Sequence, residues 1–151
     1  APAAEGTRLI ATLRRAELFS GLSAEQLRLI AFTIARLSLD AGDRLFDEDQ
    51  DSAGAYMLES GHLDLEAGGR SAGIAGPGSL LAEAALISPV PHRFAARASA
   101  PSELLLIRRE QFLRLIEEYP DIGREMENRL RQSFADMVSA LGAVKTRLSD
   151  F

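Results

Sequence analysis

The hydrophobic positions of this chain change period twice, from helical to alternating and back to helical. The first apolar residues recur at helical spacing: Leu9, Ile10, Leu13, Leu18 and Phe19. Further on, Ser23 and Gln26 stand in the order of a capping box, and the apolar residues behind them predict a helix over 24–35. The chain is therefore expected to begin with a helical part over 7–35.

Between residues 36 and 108 the pattern becomes that of short strands. Leu37 and Leu39 alternate with polar neighbours, as in a half-buried strand. Turn signals rich in Gly, Pro and Ser then recur along the chain, and runs of strand character lie between them: 45–46, 56–59, 63–66, 72–75, 94–98 and 104–107. This spacing predicts a β-barrel or sandwich over 36–108. One stretch of helix-forming residues, 81–87, interrupts it and predicts a short embedded helix.

After Arg108 the period is helical again, over 109–148. A first helix stops at Pro120, and a second is predicted from about Asp121 to Leu148. The second carries a long apolar stripe: Ile122, Met126, Leu130, Phe134, Met137, Leu141, Val144 and Leu148. Its first half is typical of a helix packed on a globular body, and its last steps follow the heptad rhythm of a coiled coil.

The length of this last helix bears on its partner. At 1.5 Å per residue it would run about 40 Å, longer than a small barrel is wide, so part of it should project. A parallel homodimer is the simplest cover for an exposed apolar seam. The alternative is a helix that folds back on its own domain.

Composition narrows the function classes. The chain has 151 residues, a net charge of −5 and 46% hydrophobic residues, which predicts one globular domain over 1–151. The acidic balance argues against nucleic-acid binding, which needs a basic surface. No apolar run approaches the ~20 residues of a membrane span, and the first residues lack a signal-peptide pattern. A cytoplasmic location without membrane contact is therefore expected.

Candidate catalytic and metal residues are few. There is no Cys, which excludes disulfides and thiolate chemistry. His62 and His92 are the two histidines, both expected at the surface, and no Ser-His-Asp set or nucleophile elbow accompanies them. The acidic run between Asp40 and Asp51 lacks the residue order of a calcium loop and predicts a solvated loop. No enzymatic activity and no metal site are expected.

One segment carries a family resemblance. Residues 76–86 read GPGSLLAEAAL, residues 92–96 read HRFAA, and Glu83 and Arg93 stand ten positions apart. This segment resembles the phosphate-binding cassette of cyclic nucleotide-binding domains, the family that includes catabolite activator proteins and the regulatory domains of cyclic nucleotide-gated channels. Further blocks agree in their order, over roughly residues 12 to 145: LFSGLS at 18–23, AGD at 41–43, YMLESG at 56–61, EQF at 110–112 and YPD at 119–121.

The resemblance implies a fold and a function. The fold is mainly β: a jelly-roll barrel (a double-stranded β-helix) with N-terminal helices, a short cassette helix and two C-terminal helices, the last one long. The function is that of a regulatory module that binds a cyclic nucleotide, cAMP or cGMP, and relays binding through the C-terminal helix. No cofactor is implied beyond that ligand.

The resemblance also implies a site. Arg93 suits a phosphodiester because its planar fork makes bidentate, charge-assisted hydrogen bonds. The amino end of the short helix would offer backbone N–H groups to the phosphate, and Glu83 would accept a hydrogen bond from the ribose 2′-hydroxyl. The implied ligand-binding residues are Leu81, Ala82, Glu83, Ala84, Ala85, Arg93, Phe94 and Ala95. A purine would be capped by apolar contact with Phe134, Met137 and Val138.

Three departures from the family pattern keep alternatives open. Ala82 stands where the family has Gly, and it would distort the amide cradle if that position requires a positive φ. Phe94 replaces a small residue and has the bulk to fill the sugar–phosphate pocket, and Ala96 lacks a hydroxyl often found there. Glu83 and Arg93 would then simply pair and close the barrel. The second hypothesis is a ligand-free fold that serves as a dimerisation or protein-interaction platform, or a pocket for another small anion.

Overall fold

The computed structural model describes residues 2–129 and 131–132, with side chains from residue 8 onward, and its helices lie before and after the strands. The helical segments are α1 (Pro2–Arg14), a 3₁₀ turn (Glu17–Phe19), α2 (Ala24–Ala31), α3 (Arg109–Glu118) and α4 over 120–129 and 131–132. The predicted capping box is confirmed. The Ser23 hydroxyl accepts from the Gln26 amide at 3.1 Å, and the Gln26 side chain accepts from the Ser23 amide at 2.9 Å.

The predicted end of α2 is wrong. The helix stops at Ala31 instead of reaching residue 35, and Ile34 already begins a strand paired with Ile107. The Thr33 hydroxyl donates to the Ile30 carbonyl at 2.7 Å, which closes the last turn. Thr33 and Ile34 are β-branched, so pairing with a neighbouring strand outweighs continuation of the apolar helical face.

Eight strands form two antiparallel four-stranded sheets. They are β1 (Ile34–Leu39), β2 (Arg44–Phe46), β3 (Gly54–Ser60), β4 (Leu63–Ala67), β5 (Arg70–Ala75), β6 (Leu80–Leu81), β7 (Ala95–Ala98) and β8 (Ser102–Arg108). The first sheet has the order β1-β8-β3-β6 and the second β2-β7-β4-β5. The predicted class, a jelly roll with flanking helices, is confirmed, and its barrel runs over 34–108.

Two strands of the first sheet are buried on both faces and separate two hydrophobic cores. Along β8, Leu105 and Ile107 face the core under the helices, whereas Leu104 and Leu106 face the core between the sheets. β3 alternates in the same way. The unbroken apolar run in each strand reflects this double burial, because neither face meets water.

The helical core includes residues from both ends of the chain and from the barrel. Its largest buried members are Leu13, Phe19, Leu27, Ile30, Met57, Leu86, Leu105 and Phe112. Ile122 and Met126 of α4 belong to it and are 0% and 2% exposed. The first part of the predicted C-terminal stripe therefore packs on the body of the protein, as expected. The heptad seam from Phe134 to Leu148 lies outside the described residues.

Candidate functional site

The segment between β5 and β7 carries the site residues predicted from the sequence, and strand pairing fixes its first half. β6 pairs with β3 through Leu81 and Tyr56 and through Leu80 and Met57. Before it, the Gly78 amide donates to the Leu58 carbonyl at 2.8 Å. We call residues 76–93 the cassette. The predicted helix over 81–87 is wrong at its start, because Leu81 belongs to strand β6. The helical part is a 3₁₀ turn, Glu83–Leu86, which we call the cassette turn.

Ala82 joins β6 to the cassette turn in a left-handed conformation. Its φ is 61° and its ψ 43°, a region in which an L-residue other than Gly is strained by roughly 1–2 kcal/mol. The position therefore requires the positive φ that Gly adopts freely, and this chain adopts it with Ala. The amide cradle keeps its shape at the expense of local strain.

The cassette turn presents its amino end to solvent and buries its carboxyl end. Glu83 and Ala84 are exposed, while Ala85 and Leu86 are 0% and 1% exposed. The first backbone bond of the turn runs from the Ala85 amide to the Ala82 carbonyl at 2.9 Å. In 3₁₀ geometry, the two preceding amides have no acceptor within the turn, so those of Glu83 and Ala84 can donate to an anion.

The Glu83 side chain lines a cavity that other elements share. This cavity of about 200 Å³ lies among the N-terminal segment, the cassette and α4, and Arg15, Gly78, Glu83 and Arg129 are among its lining residues. Neighbouring atoms partly desolvate the Glu83 carboxyl and raise its pKa, although the residue keeps an exposed face. The Arg15 guanidinium donates to the Pro77 carbonyl at 3.1 Å and so ties the N-terminal segment to the cassette.

Arg93 is exposed at the end of the cassette, and within the described part of the chain it forms no ion pair with Glu83. The two residues therefore do not form the ion pair of the alternative in which they close the barrel. The backbone before Arg93 is anchored: the Asp49 amide donates to the His92 carbonyl at 2.8 Å, and the His92 amide donates to the Gln50 carbonyl at 2.9 Å. The guanidinium thus extends from a fixed backbone towards solvent.

His92 is buried, which corrects the expectation that it lies at the surface. It is 4% exposed, and its ring stacks on Phe46 with centroids 3.6 Å apart and planes 4° from parallel. Burial lowers the pKa of its imidazole, and Nδ1 has no hydrogen-bond partner. The adjacent Arg93 suggested a solvated loop, but Phe46 supplies an apolar surface from a strand distant in sequence. His62 is exposed, as expected.

Phe94 completes an aromatic group on the barrel side of the cassette. Its ring lies 5.6 Å from that of Phe46, and the Tyr56 ring lies 5.5 Å from Phe46 on a tilted plane. Phe94 is half-buried against the core between the sheets, next to half-buried Ala95 in β7 and fully buried Ala96. Burial raises the pKa of the Tyr56 hydroxyl, and Arg108 opposes this shift.

The proposed purine cap, Phe134, Met137 and Val138, lies outside the described residues. Sequence reasoning missed Arg109, which donates from α3 to cassette carbonyls, because a polar residue at the start of a helix gives no signal of a long-range contact. The acidic residues of the predicted solvated loop, from Asp40 to Asp51, are exposed as expected. Among the described residues, no group of three His, Asp or Glu is placed to hold a metal ion.

The arrangement defines a class of protein: a jelly-roll domain with a strained, amide-presenting turn set between its sixth and seventh strands. A family model, the cyclic nucleotide-binding domain, matches residues 36–119, more than half of the chain. The chain belongs to the cyclic nucleotide-binding domain family. Domains of this family are regulatory, non-enzymatic modules.

Solved structures agree with this assignment. A cyclic nucleotide-binding-like protein from Brucella abortus is 36% identical over 72% of this chain and 97% of its own, with a TM-score of 0.66. The N-terminal domain of a transcriptional regulator from Streptomyces coelicolor shares the fold at 23% identity, with a TM-score of 0.79 over 85% of this chain and 93% of its own.

A third structure is longer than this chain. The catabolite activator protein of Thermus thermophilus is 26% identical with a TM-score of 0.70, and the match covers 86% of this chain but 63% of that protein. No curated protein sequence matches this chain significantly. Within the described part of the chain, none of the helices is long and apolar enough to cross a bilayer.

The strain at Ala82 predicts opposite effects of one substitution at two neighbouring positions. Ala82→Gly relieves the left-handed strain. Because Gly has greater conformational entropy in the unfolded chain, part of this gain is lost, and the substitution should stabilise the protein by about 0.5–1 kcal/mol. Ala84→Gly, inside the cassette turn, gains no such relief and should destabilise it. Urea unfolding of both variants measures the two signs, and destabilisation by Ala82→Gly would contradict the assigned geometry.

Burial of His92 predicts a pH dependence of stability. The folded state binds the imidazole proton less readily than the unfolded chain, whose pKa is about 6.5, so stability falls as pH drops below that value. His92→Phe should reduce the loss of unfolding free energy between pH 7.5 and pH 5. The same substitution at exposed His62 is the matched control, and an equal reduction there would contradict the role assigned to His92.

Proposed function

We propose that this chain binds a cyclic nucleotide, cAMP or cGMP, at the cassette and relays binding through its C-terminal helix. The observation that carries the proposal is the left-handed Ala82 immediately before the cassette turn. Strained backbone of this kind persists where the surrounding structure over-determines it and is concentrated at ligand sites.

The chemistry of the ligand fits the residues available. Arg93, exposed and unpaired within the described part of the chain, would hold the cyclic phosphate through a bidentate, charge-assisted contact. The amides of Glu83 and Ala84 would donate to the same group, with Leu81, Ala85, Phe94 and Ala95 around it. The Glu83 carboxyl would accept a hydrogen bond from the ribose 2′-hydroxyl. The purine would be capped by apolar contact with Phe134, Met137 and Val138. Such contact would discriminate little between adenine and guanine.

The proposed relay rests on a shared core. Leu86 of the cassette turn packs in the same buried cluster as Phe112 of α3 and Met126 of α4. Close-packed clusters transmit displacement, because a shifted side chain cannot leave a void without loss of contact. A ligand that draws the cassette turn towards its phosphate would therefore change how α4 is seated, shifting an equilibrium between two arrangements. We propose that residues 1–151 form a single domain that lies in the cytoplasm. The change in α4 would be passed on to a partner of this domain.

The aromatic group favours a second candidate function. Phe94 and His92 both pack on Phe46, on either side of Arg93 in the sequence, the residue proposed to hold the cyclic phosphate. If these rings close the pocket, the chain would be a ligand-free fold that serves as a dimerisation or protein-interaction platform. The two functions differ in one measurable property, nucleotide binding.

Titration calorimetry with cAMP and with cGMP tests the first function. We expect saturable binding that Arg93→Ala weakens by about ten-fold or more, since a hydrogen bond to a charged group contributes roughly 1.5–3 kcal/mol. Arg97→Ala is the matched control, because Arg97 is an exposed arginine of adjacent β7. It should leave the affinity unchanged.

The same titrations separate the two candidates. No heat with either nucleotide at millimolar concentration would contradict cyclic nucleotide binding in this chain. Phe94→Ser restores the small residue of the family pattern. Binding by this variant alone would assign the loss to the Phe94 ring and favour the platform.

The C-terminal heptad seam predicts a parallel homodimer. Leu141→Asp places a charge in the apolar seam and should shift the sedimentation mass from dimer to monomer. Ser139→Asp adds the same charge at the outermost heptad position and should leave the dimer intact. If Leu141→Asp and the unaltered chain sediment with the same mass, the seam is not the interface.

A further inference from the structure

The Arg109 guanidinium reaches from α3 into the cassette. Its Nη1 donates to the carbonyls of Ala85 at 3.2 Å and Ser88 at 3.3 Å. Nη1 also lies 3.3 Å from the Ser52 hydroxyl, and Nη2 donates to the Ser52 carbonyl at 3.0 Å. All four acceptors are neutral, and a planar guanidinium fork is suited to satisfying several of them at once. One side chain thus joins α3, the segment before β3 and the cassette turn.

The backbone that carries this side chain cannot easily shift. The Arg109 amide donates to the Ala53 carbonyl at 2.9 Å. The adjacent Gly54 lies so close that a Cβ there would meet the Ile107 carbonyl at 2.0 Å and the Arg109 nitrogen at 2.9 Å. The guanidinium therefore acts from a fixed base.

At the carboxyl end of the cassette turn, Leu86 is packed in the helical core, and the Ile87 and Ser88 amides donate within the cassette, to the Ala84 carbonyl. β6 fixes the cassette before the turn, and after it Val90 and His92 are hydrogen-bonded to Ser52 and Gln50. The carbonyls of Ala85 and Ser88 lie between these anchors, at the end of a helical turn where a cation is favourable. The only side-chain donor that holds them among the described residues is Arg109.

We infer that Arg109 is a positioning residue of the proposed phosphate site: it holds the carboxyl end of the cassette turn so that the opposite end presents its amides to the ligand. It would touch no ligand atom, because its acceptors are at the other end of the turn from Glu83 and Ala84. The ligand part of this inference rests on the proposed function. The positioning of the turn is a property of the free protein.

Amide hydrogen exchange of the full chain tests the positioning directly. In Arg109→Ala, the amides of Ala85, Ile87 and Ser88 should exchange at least about ten-fold faster, since a hydrogen bond to a charged group contributes roughly 1.5–3 kcal/mol. Amides of the β3–β8 pairing should keep their protection. Arg114→Ala, an exposed arginine on the same helix, is the matched control.

Two results would overturn the positioning role. One is unchanged protection of the cassette amides; the other is an equal loss in the cassette and in β3–β8, which would make Arg109 a general stabiliser. If Arg109→Ala does not fold, Arg109→Lys carries the same test. The compact ammonium of the introduced Lys cannot reach all four acceptors, so we expect a partial loss of amide protection that is confined to the cassette.

Calorimetry with cAMP and cGMP tests the consequence for binding. The Kd of Arg109→Ala should rise about ten-fold, whereas that of Arg114→Ala should not change. Unchanged affinity in a variant whose cassette exchanges faster would overturn the link to the ligand. If the unaltered chain binds neither nucleotide, the proposed function fails, while the exchange measurements still decide whether Arg109 positions the turn.

Discussion

The structure depends on the burial of β3 and β8 on both of their faces. These paired strands lie in the middle of the first sheet and supply alternate residues to two cores, one under the helices and one between the sheets. A shift of one residue in their register would exchange the two sets of side chains, so the register is strongly determined. Everything around the site takes its position from this pair: β6 pairs with β3, and α3 continues directly from β8.

This constraint explains how the cassette tolerates a strained residue. β6 is two residues long, and its pairing with β3 sets the direction in which the chain leaves the sheet. Leu86 must then enter the helical core, where it is 1% exposed. Only a sharp reversal between these two fixed points satisfies both, and the left-handed conformation of Ala82 provides it. The strain, roughly 1–2 kcal/mol, is offset by the burial of a leucine, worth roughly 1.5–3 kcal/mol, together with the strand pairing.

The sequence was sufficient for features that depend on local pattern. The capping box at Ser23, the strand character of 104–107 and the helical start at Arg109 follow from neighbouring residues, and the structure has each of them. The sequence was misleading where a residue distant in the chain determines the secondary structure or the burial of a position. Ile34 continued an apolar helical face but pairs with Ile107, and His92 stands next to the charged Arg93 but stacks on Phe46. The contacts of Arg109 belong to the same kind, since its acceptors lie 21 to 57 positions away in the chain.

In the proposed relay, the same long-range contacts would connect the cassette turn to the C-terminal helices. The cassette turn has one residue in the helical core, Leu86, and Arg109 holds the carbonyl of Ala85 in the turn and that of Ser88 just after it. Both routes lead to α3. α3 is followed at once by α4, whose Met126 packs in the core that Leu86 enters. A displacement of the turn would therefore act on α3 and α4 through the packing of Leu86 and on α3 through the hydrogen bonds of Arg109. These two kinds of contact differ in stiffness. Packing resists compression but permits sliding, whereas a guanidinium on several carbonyls resists both, so in the proposed relay Arg109 would couple motion of the turn to α3.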